Sequence, residues 1–512
     1  MTPPDARELA RRGHAYAARE EYAKAAEAFT AALDLDPADA DLYYHRGAVH
    51  AAAGRTAEAI ADFTRAIERK PDHAAAWHDR GTARADAGDL DAALADFAEA
   101  ARLDPADPDP LNGRAAVLAR KGDYAAALAD YNAALALAPD SFRLLFNRGN
   151  AHAASGDHEA AAADYTAAIA RNPRHARAYV YRALAYEELG REDDALADLA
   201  TALRVGPPSA EAFWHRARLW AARGDHAKAA ADYTWVARLD PTDAKAANLR
   251  GVSHAELGDH AEAVADFTRA AKLDPDDPGP MFNRGLAHAR AGDWEAARAD
   301  FDRAVELAPD DPAGFVQRGY AHLELLDPDR AAADFTRAIE LAPDDARGYL
   351  ARAMARRRTG DLDGAAADAT RAIELRPDTP AGYTLRAAVS YARGDLAAAA
   401  ADHRSALAID PDDPGTLNSL AWIRATAPDP ALRDGPAAVI DAVRACERTD
   451  HRIPGFLDTL AAAYAEAGRF EEAVRCQRRV IELVPPDERV GYQERLALYE
   501  AGQPYRDEGS PG

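Results

Sequence analysis

The stretch FNRGLAHARAGDWEAARADFDRAVELAPDD, residues 282–311, decides the fold. Its apolar positions recur at helical spacing in two blocks of about 14 residues each, one on either side of Gly292. A glycine between the blocks can take the left-handed conformation that ends a helix. The LAP ending at Pro309 stops the second block, because proline cannot continue a helix. One residue does not fit this reading. Arg284 stands among small and apolar neighbours, where a helix–helix contact would be expected to hold a side chain such as Leu.

Working outward, Pro309 belongs to a column of prolines at 37, 71, 105, 139, 173, 207, 241, 275, 309, 343, 377 and 411, and every step is 34 residues. A fixed period of this size is the mark of a stacked repeat architecture, in which each unit buries its apolar face only against its neighbours. Other columns keep the register. Twelve residues before each proline stands an alanine, from Ala25 to Ala399. Eight before stands a ring at Phe29, Phe63, Phe97, Tyr131, Tyr165, Tyr233, Phe267, Phe301 and Phe335, with Leu199, Ala369 and His403 as exceptions. Twenty-four before stands Gly or Ala, from Gly13 to Ala387. Small residues on one helix let the ring of its partner approach closely. In the tenth unit Leu326 replaces the inter-helix glycine, with Asp327 as N-cap and Pro328 at a helix start, and a differently shaped turn is expected there.

The columns represented by Phe282, Gly285, Ala297, Phe301, Ala304 and Pro309 resemble the tetratricopeptide repeat family, and the resemblance covers about residues 6–485. It implies an all-α fold: an α-solenoid, a right-handed superhelix of helix-turn-helix units whose first helices line a concave groove. The expected organisation is an N-terminal tail at 1–5, twelve tandem units over 6–413, two divergent units over 414–485, a capping helix at 486–502 and a disordered tail at 503–512. The first divergent unit carries roughly five extra residues between its helices. The C-terminal segment resembles the endings of bacterial arrays of this family.

Arg284 repeats as Arg12, Arg46, Arg80, Arg114, Arg148, Arg182, Arg216, Arg250, Arg318, Arg352 and Arg386. Sixteen residues downstream runs a matching ladder, from Asp62 to Asp402, which only the first unit lacks. Arg precedes the small residue by one position and Asp precedes the ring by one, so both are rotated by about 100° from the helix–helix contact. In antiparallel helices these offsets point to one flank. The arginines are therefore expected to pair within a unit, with pairing to a neighbouring unit as the alternative, rather than to form an anion-binding rail. Asp300→Ala is expected to destabilise more than Arg284→Leu.

Acidic residues outnumber basic ones by 86 to 62, a formal charge of −24. This argues against nucleic acid as a partner and against an anionic membrane surface. The N-terminal MTPPDARELARRG has no apolar core, no run of about 18 apolar residues occurs, and two cysteines make no disulfide framework. A cytoplasmic location is expected.

No phosphate loop, HExxH or nucleophile elbow appears. His50, His152, His254, His288 and His322 share one helical position, but equivalent positions in stacked units lie about 10 Å apart. Zinc ligands converge at about 2 Å from one ion. No enzyme activity, metal or cofactor is expected. What remains is a surface: the first-helix positions three before and one after the small residue. There Phe146, Leu184, Trp214, Arg218, Phe282, Leu286, Tyr320 and Met354 form an apolar wall suited to a protein or peptide segment with hydrophobic anchors. The alternative is a structural repeat protein that associates with itself.

Overall fold

The computed structural model describes residues 5–507, and among them the chain is built from α-helices and two short 3₁₀ turns, with no strand. The helices form antiparallel pairs, and the pairs fall into two compact units, 1–241 and 242–512. The first unit holds seven pairs, from Ala6–Ala17 with Tyr22–Leu35 to Ala210–Ala222 with His226–Leu239. The second also holds seven, from Ala244–Leu257 with His260–Leu273 to Pro454–Glu466 with Phe470–Leu483, followed by the helix Val490–Glu500.

The pair Pro278–Arg290 and Trp294–Leu307 shows how the repeat is made. Asp277 caps the first helix by accepting the Gly279 N–H at 2.9 Å, and Asp293 caps the second by accepting the Ala296 N–H at 3.1 Å. The acidic loops are thus spent on exposed helix donors. Phe301 is buried, and a Cβ placed on Gly285 would lie 2.7 Å from its ring, so the small column is small because the ring rests on the helix backbone. The nine rings of this column are all buried.

Leu326 does not reshape its turn. It adopts φ 61°, the conformation the glycines take elsewhere, and its neighbours keep the same bonds. Leu326 N–H donates to Leu323 O and Asp327 N–H to His322 O, as Gly292 N–H does to Ala289 O and Asp293 N–H to His288 O. Packing of the flanking helices imposes the turn on a side chain that dislikes it. Leu326 is also 84% exposed, so it recovers little by burial. Leu326→Gly should therefore stabilise the tenth repeat by about 1 kcal/mol, the cost of a left-handed residue with a Cβ. Slower amide exchange across 312–341 would register it.

The divergent C-terminal part differs in its connections. Pro414–Thr426 and Gly435–Arg448 are joined through residues 427–434 and a 3₁₀ turn at Pro430–Leu432. The helix Val490–Glu500 sends Tyr499 into the core formed by Cys446, Leu460, Ala473 and Val480. Cys446 and Cys476 are free thiols in this core, and burial pushes the Cys446 pKa up to about 12. The expected disorder at 503–512 does not hold for 503–507. Trp422 Nε1 donates to Asp507 Oδ2 at 2.9 Å, and the Tyr391 hydroxyl donates to the same oxygen. Asp507 N–H donates to Thr426 O at 3.0 Å, and Arg506 reaches Glu466 at 2.6 Å. Four polar contacts outweigh what a short polar sequence suggests. Residues 1–4 and 508–512, the rest of the two tails, lie outside the described residues.

Candidate functional site

The arginine column answers the question raised by Arg284. Arg284 Nε donates to Asp300 Oδ2 at 2.8 Å and Nη2 to Oδ1 at 2.5 Å, a two-pronged bond within one repeat. The same fork recurs in every repeat from Arg46–Asp62 to Arg386–Asp402. A third bond crosses to the preceding repeat. Arg284 Nη1 donates to Thr268 Oγ1 at 2.9 Å, and Arg318 Nη1 to Asp302 Oδ1 at 3.0 Å. Arg46, Arg80, Arg148, Arg182, Arg352 and Arg386 do likewise to Thr30, Thr64, Asn132, Thr166, Thr336 and Thr370. Each of these eight guanidinium groups thus ties two helices of its own repeat to the second helix of the one before, whereas Arg114 and Arg216 face Ala98 and Ala200 sixteen residues upstream and keep the fork alone. The fork that would grip a free anion is already occupied.

The histidine column sits on the same carboxylates. His50 Nδ1 lies 3.2 Å from Asp62, and His288 Nε2 3.9 Å from Asp300. Where this position holds arginine, Arg84 and Arg356 bond Asp96 and Asp368 at 2.8 Å. Among the described residues no cluster of His, Cys, Asp or Glu is arranged to hold a metal ion.

The predicted wall residues lie on first helices, as the register requires. In the first unit Phe146, on Phe142–Ala154, stacks on Tyr181 with ring centroids 5.4 Å apart. Leu184 and Arg218 line one cavity of about 480 Å³ together with Asn150, Tyr165, Tyr181, Glu187 and His215. Arg218 is exposed, lies 6.0 Å from the Trp214 ring centroid and pairs with the Glu187 carboxylate. In the second unit Phe282 and Leu286 pack partly buried against Phe301 and Ala321, and Tyr320 packs against Phe335. Met354 is 36% exposed and belongs to no buried cluster. The structure therefore brings Leu184 and Arg218 to one cavity and Phe282 and Leu286 to one apolar cluster. It leaves Met354 by itself.

Burial holds His215 neutral, lowering its pKa from 6.5 to about 4, with Arg218 adding to the effect. Its Nδ1 faces a Glu187 oxygen 3.9 Å away. The unfolded chain binds a proton there between pH 6.5 and 4 and the folded chain does not, so this contribution to stability is complete above pH 6.5 and falls as pH drops towards 4. Substituting His215→Asn should flatten that part of the stability–pH curve for the first unit. An unchanged acid limb in denaturant titrations would refute it.

A larger cavity, of about 870 Å³, lies in the second unit and was missed from sequence. Thr384, Asn418 and Asp458 on its wall continue the position three before the small residue, and Ala388 and Trp422 continue the position one after. The signal was present: this column turns from Phe282, Val316 and Leu350 to polar residues. A search for apolar anchors passes over it. Of the two divergent repeats only the helix Pro414–Thr426 keeps the 34-residue register.

Models of the tetratricopeptide repeat match residues 11–74, 51–109, 146–210, 193–244, 222–278, 316–380 and 350–414, and again 251–314. A TPR repeat model matches 117–156. No curated protein matches the chain. Solved structures similar to it include the APC/C hetero-tetramer Cut9–Hcn1, at 14% identity, 96% of each chain covered and a TM-score of 0.41. Yeast Tom70 matches at 19% identity, covering 85% of this chain and 96% of its own, with a TM-score of 0.37. YrrB, described as a TPR protein with an unusual peptide-binding site, matches at 19% identity over 36% of this chain and 96% of its own, with a TM-score of 0.33. Matches over most of the chain, on a fold made of stacked helix pairs with a ring against a small residue in each, make this protein a member of the tetratricopeptide repeat family.

Proposed function

We propose that the protein is an interaction scaffold that holds a segment of a partner protein against its first-helix faces, without a catalytic step of its own. One observation carries this reading. Phe146, Leu184, Trp214, Phe282, Leu286 and Tyr320 are only partly buried, and Arg218 and Met354 are exposed. Aromatic side chains and arginine with one open face are the usual anchors of protein interfaces. The charge of −24 favours a protein partner with basic flanks over nucleic acid. No helix among the described residues is long and apolar enough to cross a membrane. Two free thiols suit a reducing, cytoplasmic setting. YrrB, by its description, binds peptide, and the family's shape is compatible with the same use here.

Crosslinking the full chain in its native lysate, wild type against Trp214→Ala with Phe282→Ala, tests the reading. Loss of the crosslinked partners with unchanged melting supports it, and an unchanged partner set removes these faces as the site. Light scattering across a concentration range separates the self-associating alternative, which requires mass to grow with concentration.

A further inference from the structure

The cavity in the second unit has a one-sided chemistry. Three of its hydroxyls have already given their protons to their own helices: Thr384 Oγ1 to Ala381 O at 3.0 Å, Ser419 Oγ to Gly415 O at 2.9 Å and Thr459 Oγ1 to Gly455 O at 3.1 Å. Each retains only lone pairs for a ligand. Asn418 Oδ1 is buried with no donor. Asp458 accepts from Gln477 Nε2 at 2.8 Å and Arg495 Nε at 2.9 Å, both on Oδ1. Among the described residues no hydrogen bond reaches its Oδ2. The strong donors of the wall, Trp422 Nε1 and the Tyr391 hydroxyl, are spent on Asp507. Of the charged lining, Asp413 caps its helix by accepting the Thr416 N–H at 2.7 Å, Asp458 pairs with Arg495, and the one cation is the exposed Arg357.

We propose that this cavity is a binding site for a basic side chain, the guanidinium of Arg or the ammonium of Lys, presented by a polypeptide. Acceptors on this wall favour a ligand made of donors, and a ligand without them would leave the Thr384, Ser419 and Thr459 oxygens without a donor. Burial raises the Asp458 pKa against the opposing pull of Arg495 and Gln477, and a further cation beside the carboxylate would favour its charged form. At about 870 Å³ the space exceeds one side-chain terminus and falls in the range of ligand pockets. It can take the flanking residues of a peptide as well. His403 lines the cavity in a neutral state, its pKa lowered by burial, and adds no opposing charge. The site is independent of the apolar faces proposed above: it uses none of those eight residues.

Calorimetric titration of the full chain tests it with three probes. These are a seven-residue Gly/Ser/Ala peptide with one central Arg, its twin with citrulline in place of Arg, and arginine amide. The Arg peptide should bind at least about tenfold tighter than the citrulline twin, which keeps the shape and loses the charge, and binding should weaken with salt. Asp458→Asn should lower affinity by about the same factor. Because that change could loosen the C-terminal core, Asn418→Leu and Thr384→Val serve as second variants, with melting curves run in parallel. Both should weaken the Arg peptide while leaving the melting point unchanged. No binding of the Arg peptide, equal binding of the citrulline twin, or full affinity in Asn418→Leu and Thr384→Val would overturn the proposal. Equal affinity for arginine amide would assign the cavity to a small cation and overturn the polypeptide source.

Discussion

Phe335→Ala is expected to cost about 3–5 kcal/mol, felt in the tenth repeat and its neighbours rather than along the whole chain. Phe335 is fully buried, packed with Leu323, Ala331, Ala351 and Ala355 and edge-on to Tyr320 at 5.3 Å. Its ring rests on Gly319 so closely that a Cβ there would lie 2.5 Å away. Removing the ring opens a void that neither glycine nor the flanking alanines can fill. Other repeats show what a compensated version looks like. Where the ring is absent the small residue is never Gly: Leu199 faces Ala183, Ala369 faces Ala353 and His403 faces Ala387. Phe335→Leu with Gly319→Ala, which copies the Ala183–Leu199 pair, should therefore recover much of the loss that Phe335→Leu shows by itself. Hydrogen exchange resolved by repeat is the proper measurement, because a solenoid opens locally and one melting temperature averages over it. A loss spread evenly over both units would contradict the stacking logic.

How much of this was legible follows from what repetition can and cannot carry. The helix pairs, the ring-on-glycine contact and the Arg–Asp fork recur in register, so repeated copies average away local accident. The third arginine bond also recurs, since Thr30, Thr64, Thr166, Thr268, Thr336 and Thr370 each follow the ring position directly. Pairing with a neighbouring repeat was left open, but the partner sought was a carboxylate, whereas this one is in most repeats a hydroxyl. The Leu326 turn was misjudged for a different reason. Local preference was allowed to override the packing of two flanking helices, and the helices won. Asp458, Gln477 and Arg495 could not be read at all. They meet once, from three helices outside the 34-residue register, and a single long-range contact leaves no pattern in sequence. The pinning of Asp507 on Trp422 and Tyr391 was hidden for the same reason.

Burial reverses the expected order of the two substitutions in the Arg–Asp fork. Sequence suggested that losing the carboxylate would be worse, because it would strand a buried guanidinium. In the structure the carboxylate is the deeper partner: the Asp300 side chain is 9% exposed and that of Arg284 25%. Arg284→Leu removes the fork and leaves Asp300 among apolar neighbours, with only His288 at 3.9 Å. Stranding a buried charge costs about 3 kcal/mol or more. Asp300→Ala leaves a guanidinium that still donates to Thr268 Oγ1 and can swing its head towards water along a flexible stem, so about 1–2 kcal/mol is expected. Replacing both, Arg284→Leu with Asp300→Leu, should return most of the stability, since a well-packed apolar pair of similar volume matches or exceeds a buried ion pair. Urea titrations of the wild type, Arg284→Leu, Asp300→Leu and the double variant close a double-mutant cycle, with a coupling energy of about 1–3 kcal/mol expected. If Asp300→Ala proves the costlier single change, the carboxylate is doing more than answering the arginine. If the double variant is as unstable as the worse single one, the fork sets helix register in a way that apolar packing cannot replace.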